Sequence, residues 1–67
     1  MLRFSRRLRE LRKAAGISQK ELGRRAYVTE DFVGRMELAK QFPSLETMAL
    51  LALALDCDVL DLLVPES

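Results

Sequence analysis

The sequence predicts an all-α domain, a compact bundle of five short helices. Apolar residues recur at helical spacing, and there is no stretch of strand-like alternation and no two-residue hairpin signal. Side chains that cap helix starts stand at intervals along the chain, at Ser18, Thr29, Ser44 and Asp58. Stop signals separate them, at Gly16, Pro43 and Pro65. With 67 residues there is material for one domain and not two, so the expected unit is 1–67.

Phe4, Leu8, Leu11 and Ala15 form one helical stripe, with arginines on the other faces, and predict a helix over 2–15. Gly16 ends it as a left-handed cap. Ser18 opens the next helix, over 19–26, and Glu21 three residues on completes the capping-box pattern by reaching back to the Ser18 amide. Thr29 caps a third helix over 30–38, where Glu30 and Asp31 meet the positive end of the helix dipole. Pro43 holds 39–43 as a loop, and Ser44 then caps a helix over 45–55. Asp58 caps the last helix, over 59–63, before Pro65.

Composition excludes much. A domain of this size buries only about 60% of its unfolded surface and usually needs a staple or a second copy. The single cysteine, Cys57, has no intrachain partner, and without histidine the usual zinc ligand sets are missing, so neither a metal nor a cofactor is expected. No enzyme activity is expected either. The usual proton shuttle is absent, Glu30 and Asp31 splay apart as adjacent helix positions, and the chain is too short to wall a small-molecule pocket. The longest apolar run, 48–55, is too short to span a bilayer, so a cytoplasmic protein with no membrane partner is expected.

Net charge is +1, but it is unevenly spread. Residues 1–25 hold nine bases and two acids, a net of +7, while 26–67 hold two bases and eight acids, a net of −6. A basic half of this kind suits a polyanion.

Between Gln19 and Glu37 two short helices flank a three-residue turn, with apolar residues at Leu22, Ala26, Val28, Val33 and Met36. That is the pattern of a helix-turn-helix, and small Gly23 sits where the two helices must approach closely. Such a unit presents its second helix to the major groove and the start of its first to backbone phosphate.

The runs LRELRKAAGISQKEL (8–22), VTEDFVGRME (28–37) and PSLETMALLALAL (43–55) together resemble the phage-repressor and Cro-like helix-turn-helix family, of the xenobiotic-response-element type. The resemblance spans nearly the whole chain. It implies a lambda-repressor-like five-helix fold and a dimeric, sequence-specific transcription regulator, with its recognition helix over about 30–38 in the major groove of a palindromic operator in double-stranded DNA. The chain departs from the family pattern in three ways. Tyr27 and Ala39 stand where glycine is usual, and Glu30 with Asp31 stand where neutral or basic side chains usually open the recognition helix. The acids leave a second reading open, a protein-interaction module of antitoxin or anti-activator type built on a degenerate helix-turn-helix.

Gln19 matches the family position that holds a phosphate and supports the recognition helix, and Lys40 and Gln41 match a loop that touches backbone. Lys20 and Arg24 are further phosphate candidates, and Thr29 joins them as a capped helix start. Glu30 and Asp31 are candidates to accept from cytosine amino groups, and Arg35 to contact guanine or phosphate or to pair with Asp31. Phe32 reads as core or as a thymine-methyl contact. Arg12 and Glu37 match a family ion pair with a structural role. The fourth helix is apolar nearly all round, so a homodimer surface is expected in 45–64, carried by Leu53, Val59, Leu60, Leu62 and Leu63.

Overall fold

The computed structural model describes residues 2–63, with side chains from Arg3 onward. Five helices follow in order: α1 Leu2–Ala14, α2 Gln19–Ala26, α3 Glu30–Glu37, α4 Leu45–Ala54 and α5 Val59–Leu63. No strand is present among the described residues. The Cα radius of gyration is 10.3 Å. The expected stop at Pro65, and residue 64 of the dimer segment, lie outside the described residues.

One core closes the bundle. Leu8 of α1, Leu22 and Ala26 of α2, Val33 and Met36 of α3, and Leu51 of α4 have no exposed surface, and Met48 and Leu62 are nearly as deep. Each helix contributes one face to this cluster, with α2 packed against both α3 and α4. Phe32 is half-buried against it. The loop after α3 is pinned to α1 by an edge-on ring contact, Phe4 with Phe42, at 5.0 Å between centroids. No helix among the described residues is long and apolar enough to cross a membrane.

The starts follow the capping logic, with two differences of partner. Ser18, Thr29 and Ser44 accept from the amides of Glu21, Phe32 and Thr47 at 3.0, 3.0 and 3.2 Å. Glu21 does not reach back to the Ser18 amide, because Arg24 and Arg25 hold its carboxylate. At α5 the expected cap is reversed: the Asp58 amide donates to Asp61 Oδ2 at 3.0 Å.

Helix ends come one residue early in α1, α3 and α4, all for the same reason. A left-handed residue follows each C-terminus, at Gly16 (φ 72°), Ala39 (φ 61°) and Asp56 (φ 55°), and Tyr27 (φ 61°) does the same for α2. After α1, Gly16 and Ile17 donate back to the carbonyls of Lys13 and Arg12 at 3.0 and 3.3 Å, which peels Ala15 out of the expected apolar stripe into solvent. The same paired bonds close α3 at Ala39 and Lys40, and α4 at Asp56 and Cys57.

Tyr27 therefore sits in the backbone region that favours glycine, with its ring 82% exposed and little to compensate. Tyr27→Gly is expected to stabilise the fold by about 0.5–1 kcal/mol, the relief of strain less the greater freedom of glycine in the unfolded chain. A thermal melt reads this as a midpoint several degrees higher.

Leu62 corrects the expected dimer surface. It is 1% exposed and belongs to the chain's own core, because α5 turns that side inward as Arg7 of α1 donates to the Asp61 carbonyl at 2.9 Å. Val59 is half-buried against the same core. On α4 and α5 the large apolar side chains left in water are Leu45 (77%), Leu53 (77%), Leu60 (66%) and Leu63 (44%).

Candidate nucleic-acid interface

The close approach of α2 and α3 depends on Gly23. A Cβ there would lie 2.7 Å from the Val28 carbonyl oxygen and 3.2 Å from the Thr29 carbonyl carbon, both backbone atoms that cannot swing aside. That contact sets the angle at which α3 leaves the domain.

A three-residue network then fixes the far end of α3. Arg12 donates from Nε to Glu37 Oε2 at 2.7 Å, from Nη2 to Oε1 at 3.1 Å, and from Nη1 to the Ile17 carbonyl at 3.0 Å. Gln19 Nε2 donates to the same Glu37 Oε1 at 3.1 Å. The Arg12 and Glu37 side chains are only 12% and 4% exposed. The hydrogen bond to Glu37 raises the Arg12 pKa against an opposing effect of burial, so the guanidinium stays charged. Gln19 is thus tied to the end of α3 through its amide nitrogen.

The outer face of α3 lies between these anchors. An open groove runs along it, lined by Gln19, Glu30, Asp31, Gly34, Arg35, Leu38 and Lys40. A second groove, lined by Arg9, Arg12, Gln19, Gly34, Glu37 and Leu38, continues it toward α1. Five of the sequence-predicted residues, Gln19, Glu30, Asp31, Arg35 and Lys40, therefore share one surface. Lys20, Arg24, Thr29 and Gln41 are exposed but do not line it. Gly34 and Leu38 do line it, and Arg9 lines the second groove; sequence reasoning passed over all three, since one arginine among several on a basic helix, a glycine within a helix and a leucine at a helix end carry no distinguishing signal.

Charges on this surface are partly paired at rest. Arg35 Nε bonds Asp31 Oδ2 at 2.8 Å, with both side chains more than half exposed, so the pair is worth about 1 kcal/mol at most and opens readily. Arg24 and Arg25 both hold Glu21, which lowers its carboxyl from 4.5 to about 2, chiefly through the Arg24 hydrogen bond. Glu30 has no ion pair among the described residues and faces solvent at the start of α3. On the opposite side, burial and then Asp61 push the Cys57 thiol up, away from the reactive thiolate. No group of side chains suited to a metal occurs among the described residues.

Comparison with known proteins agrees with this geometry. Residues 3–63 match the family described as the helix-turn-helix domain. Among solved structures, the restriction-modification controller protein C.AhdI from Aeromonas hydrophila superposes with a TM-score of 0.88 at 38% identity, over 91% of this chain and 88% of that one. A comparison with curated proteins found no match. Fold, capped turn and interhelical network together with these matches show that the chain belongs to the helix-turn-helix domain family, in its Cro/C1-type branch of DNA-binding transcription regulators.

Proposed function

We propose that the protein is a sequence-specific transcription regulator that binds a palindromic operator as a homodimer, with α3 in the major groove. The observation that carries this is the surface just described. One helix stands outward, its outer side lines an open groove together with Gln19 and Lys40, and the capped starts of α2 and α3 with the exposed Lys20, Arg24, Thr29 and Gln41 are the further groups offered to phosphates. The resemblance to a restriction-modification controller supports a regulator of that kind. In this reading Arg35 exchanges Asp31 for a guanine edge, and Glu30 accepts from a cytosine amino group. The protein acts in the cytoplasm and catalyses no reaction.

The second copy meets the exposed leucines of α4 and α5. Leu45 and Leu53 lie on α4 and Leu60 and Leu63 on α5, four exposed leucines that a second copy would take out of water. Leu60→Asp is expected to give a folded monomer by sedimentation and to lose operator binding at concentrations where the unchanged chain is bound. A melting temperature that collapses instead would place Leu60 in the chain's own packing.

Selection of bound sequences from random duplex DNA tests the function as a whole. The expected product is a two-fold motif whose half-sites lie about 34 Å apart, one helical turn. The exposed acids Glu30 and Asp31 favour a second reading, a protein-interaction module, and recovery of no enriched sequence would support that one.

A further inference from the structure

Gly34 lies midway along the outer face of α3, in line with Glu30 before it and Leu38 after it at four-residue spacing. Glycine is the poorest helix former after proline, and α3 has only 8 residues. The two helical glycines of the chain differ in what they make room for. At Gly23 an added Cβ would strike backbone at 2.7 Å, whereas at Gly34 its nearest neighbours are the side-chain amide atoms of Gln19 at 3.8 and 3.9 Å, ordinary contact. The packing of the domain accounts for Gly23 and leaves Gly34 unused. The vacant position opens outward, because both grooves of the interface cross it. Leu38, 66% exposed, borders both grooves one turn further on. The middle of this face is therefore a notch floored by the bare Gly34 backbone, with the Leu38 side chain and the Gln19 amide beside it and Glu30, Asp31, Arg35 and Lys40 as its charged walls.

We propose that the notch is a base-reading site that seats the 5-methyl group of a thymine between the bare Gly34 backbone and the Leu38 side chain. Thymine methyl is the apolar group that a major groove displays, and the other base-edge groups are hydrogen-bond donors or acceptors suited to the charged walls. The proposal rests on the reading of α3 as the recognition helix and names what its centre reads. It also explains why a short helix retains a residue that weakens it.

Uracil differs from thymine by this methyl group alone, which supplies the probe. Each thymine of the selected duplex is replaced in turn by uracil, and binding is measured for the unchanged chain, Gly34→Ala and Leu38→Ala. At one thymine in each half-site, uracil should weaken the unchanged chain about fourfold, the effect of one methyl group left in water. Gly34→Ala should bind the thymine duplex at least about fivefold more weakly, from overfilling the notch, while melting about 4–8 °C higher as alanine replaces glycine in the helix. Both variants should lose the distinction between thymine and uracil at that position. Equal binding of thymine and uracil duplexes at every position overturns the proposal, as does a Gly34→Ala variant of unchanged affinity. A lower melting temperature for Gly34→Ala also overturns it, since the glycine would then serve the fold. If the unchanged chain binds no duplex at all, the recognition-helix reading itself fails, and this one with it.

Discussion

Arg12→Ala should cost the fold up to about 3–5 kcal/mol, the range for removing one partner of a buried ion pair. The reason is what remains behind. The Glu37 side chain is 4% exposed, and without Arg12 its carboxylate keeps the Gln19 amide as a donor in a site from which water is largely excluded. The Ile17 carbonyl loses a donor at the same time. A small domain has a total stability at the low end of about 5–15 kcal/mol, so this single change approaches the whole margin. Arg9→Ala is the control, because Arg9 is an exposed arginine on the same helix. Its melting temperature should match the unchanged chain within a few degrees, while Arg12→Ala falls by more than about 10 °C. Adding Glu37→Gln to Arg12→Ala should recover part of the loss by removing the stranded charge. Equal melting temperatures for the two alanine variants would mean that the network contributes nothing to stability.

The same network bears on function through geometry. Arg12, Gln19 and Glu37 come from α1, α2 and α3, and they lock the end of α3, the proposed recognition helix, opposite the Gly23 contact that fixes its start. A helix held at both ends can place Arg35 and Glu30 at fixed positions on a base edge, which is the requirement for direct readout. Destabilised variants should therefore lose specificity together with stability.

What the sequence made legible, and what it hid, follows from where the physical signal is local. Helix starts are written in single residues, so Ser18, Thr29 and Ser44 were placed correctly by chemistry alone. Helix ends depend on a left-handed residue, and only Gly16 announces one. Tyr27, Ala39 and Asp56 adopt the same backbone without the residue type that signals it, and in α1, α3 and α4 the residue just before the left-handed one, Ala15, Leu38 and Leu55, already leaves the helix although the apolar pattern runs through it. The sequence does not show Leu62 as core, because a helix of 5 residues is too short for periodicity to define its inward side. Gly23 reads as a packing glycine from its place in the helix-turn-helix pattern, whereas the outward position of Gly34 shows only in the space around it. The pairing of Arg35 with Asp31 was readable from four-residue spacing, whereas the capture of Glu21 by two arginines was not, since the competing capping-box pattern uses the same carboxylate.

The other large effect expected is in solution electrostatics, from the basic half of the chain meeting DNA phosphates. Residues 1–25 carry a net of +7, and Lys40 adds one more base beside the reading face. If about six of these charges neutralise phosphates, condensed counterions are released and affinity falls steeply with salt, by about 10³-fold between 50 and 200 mM. Base contacts release no such ions, so the ratio of affinities for the selected and a scrambled duplex should hold nearly constant while both fall. A single titration of both duplexes across that salt range therefore measures the phosphate contacts and the base reading together. Two steep, parallel lines with the selected duplex bound more tightly throughout are the result predicted here. Flat lines, or lines that coincide, would contradict the claim that α3 reads DNA while the basic face holds its backbone.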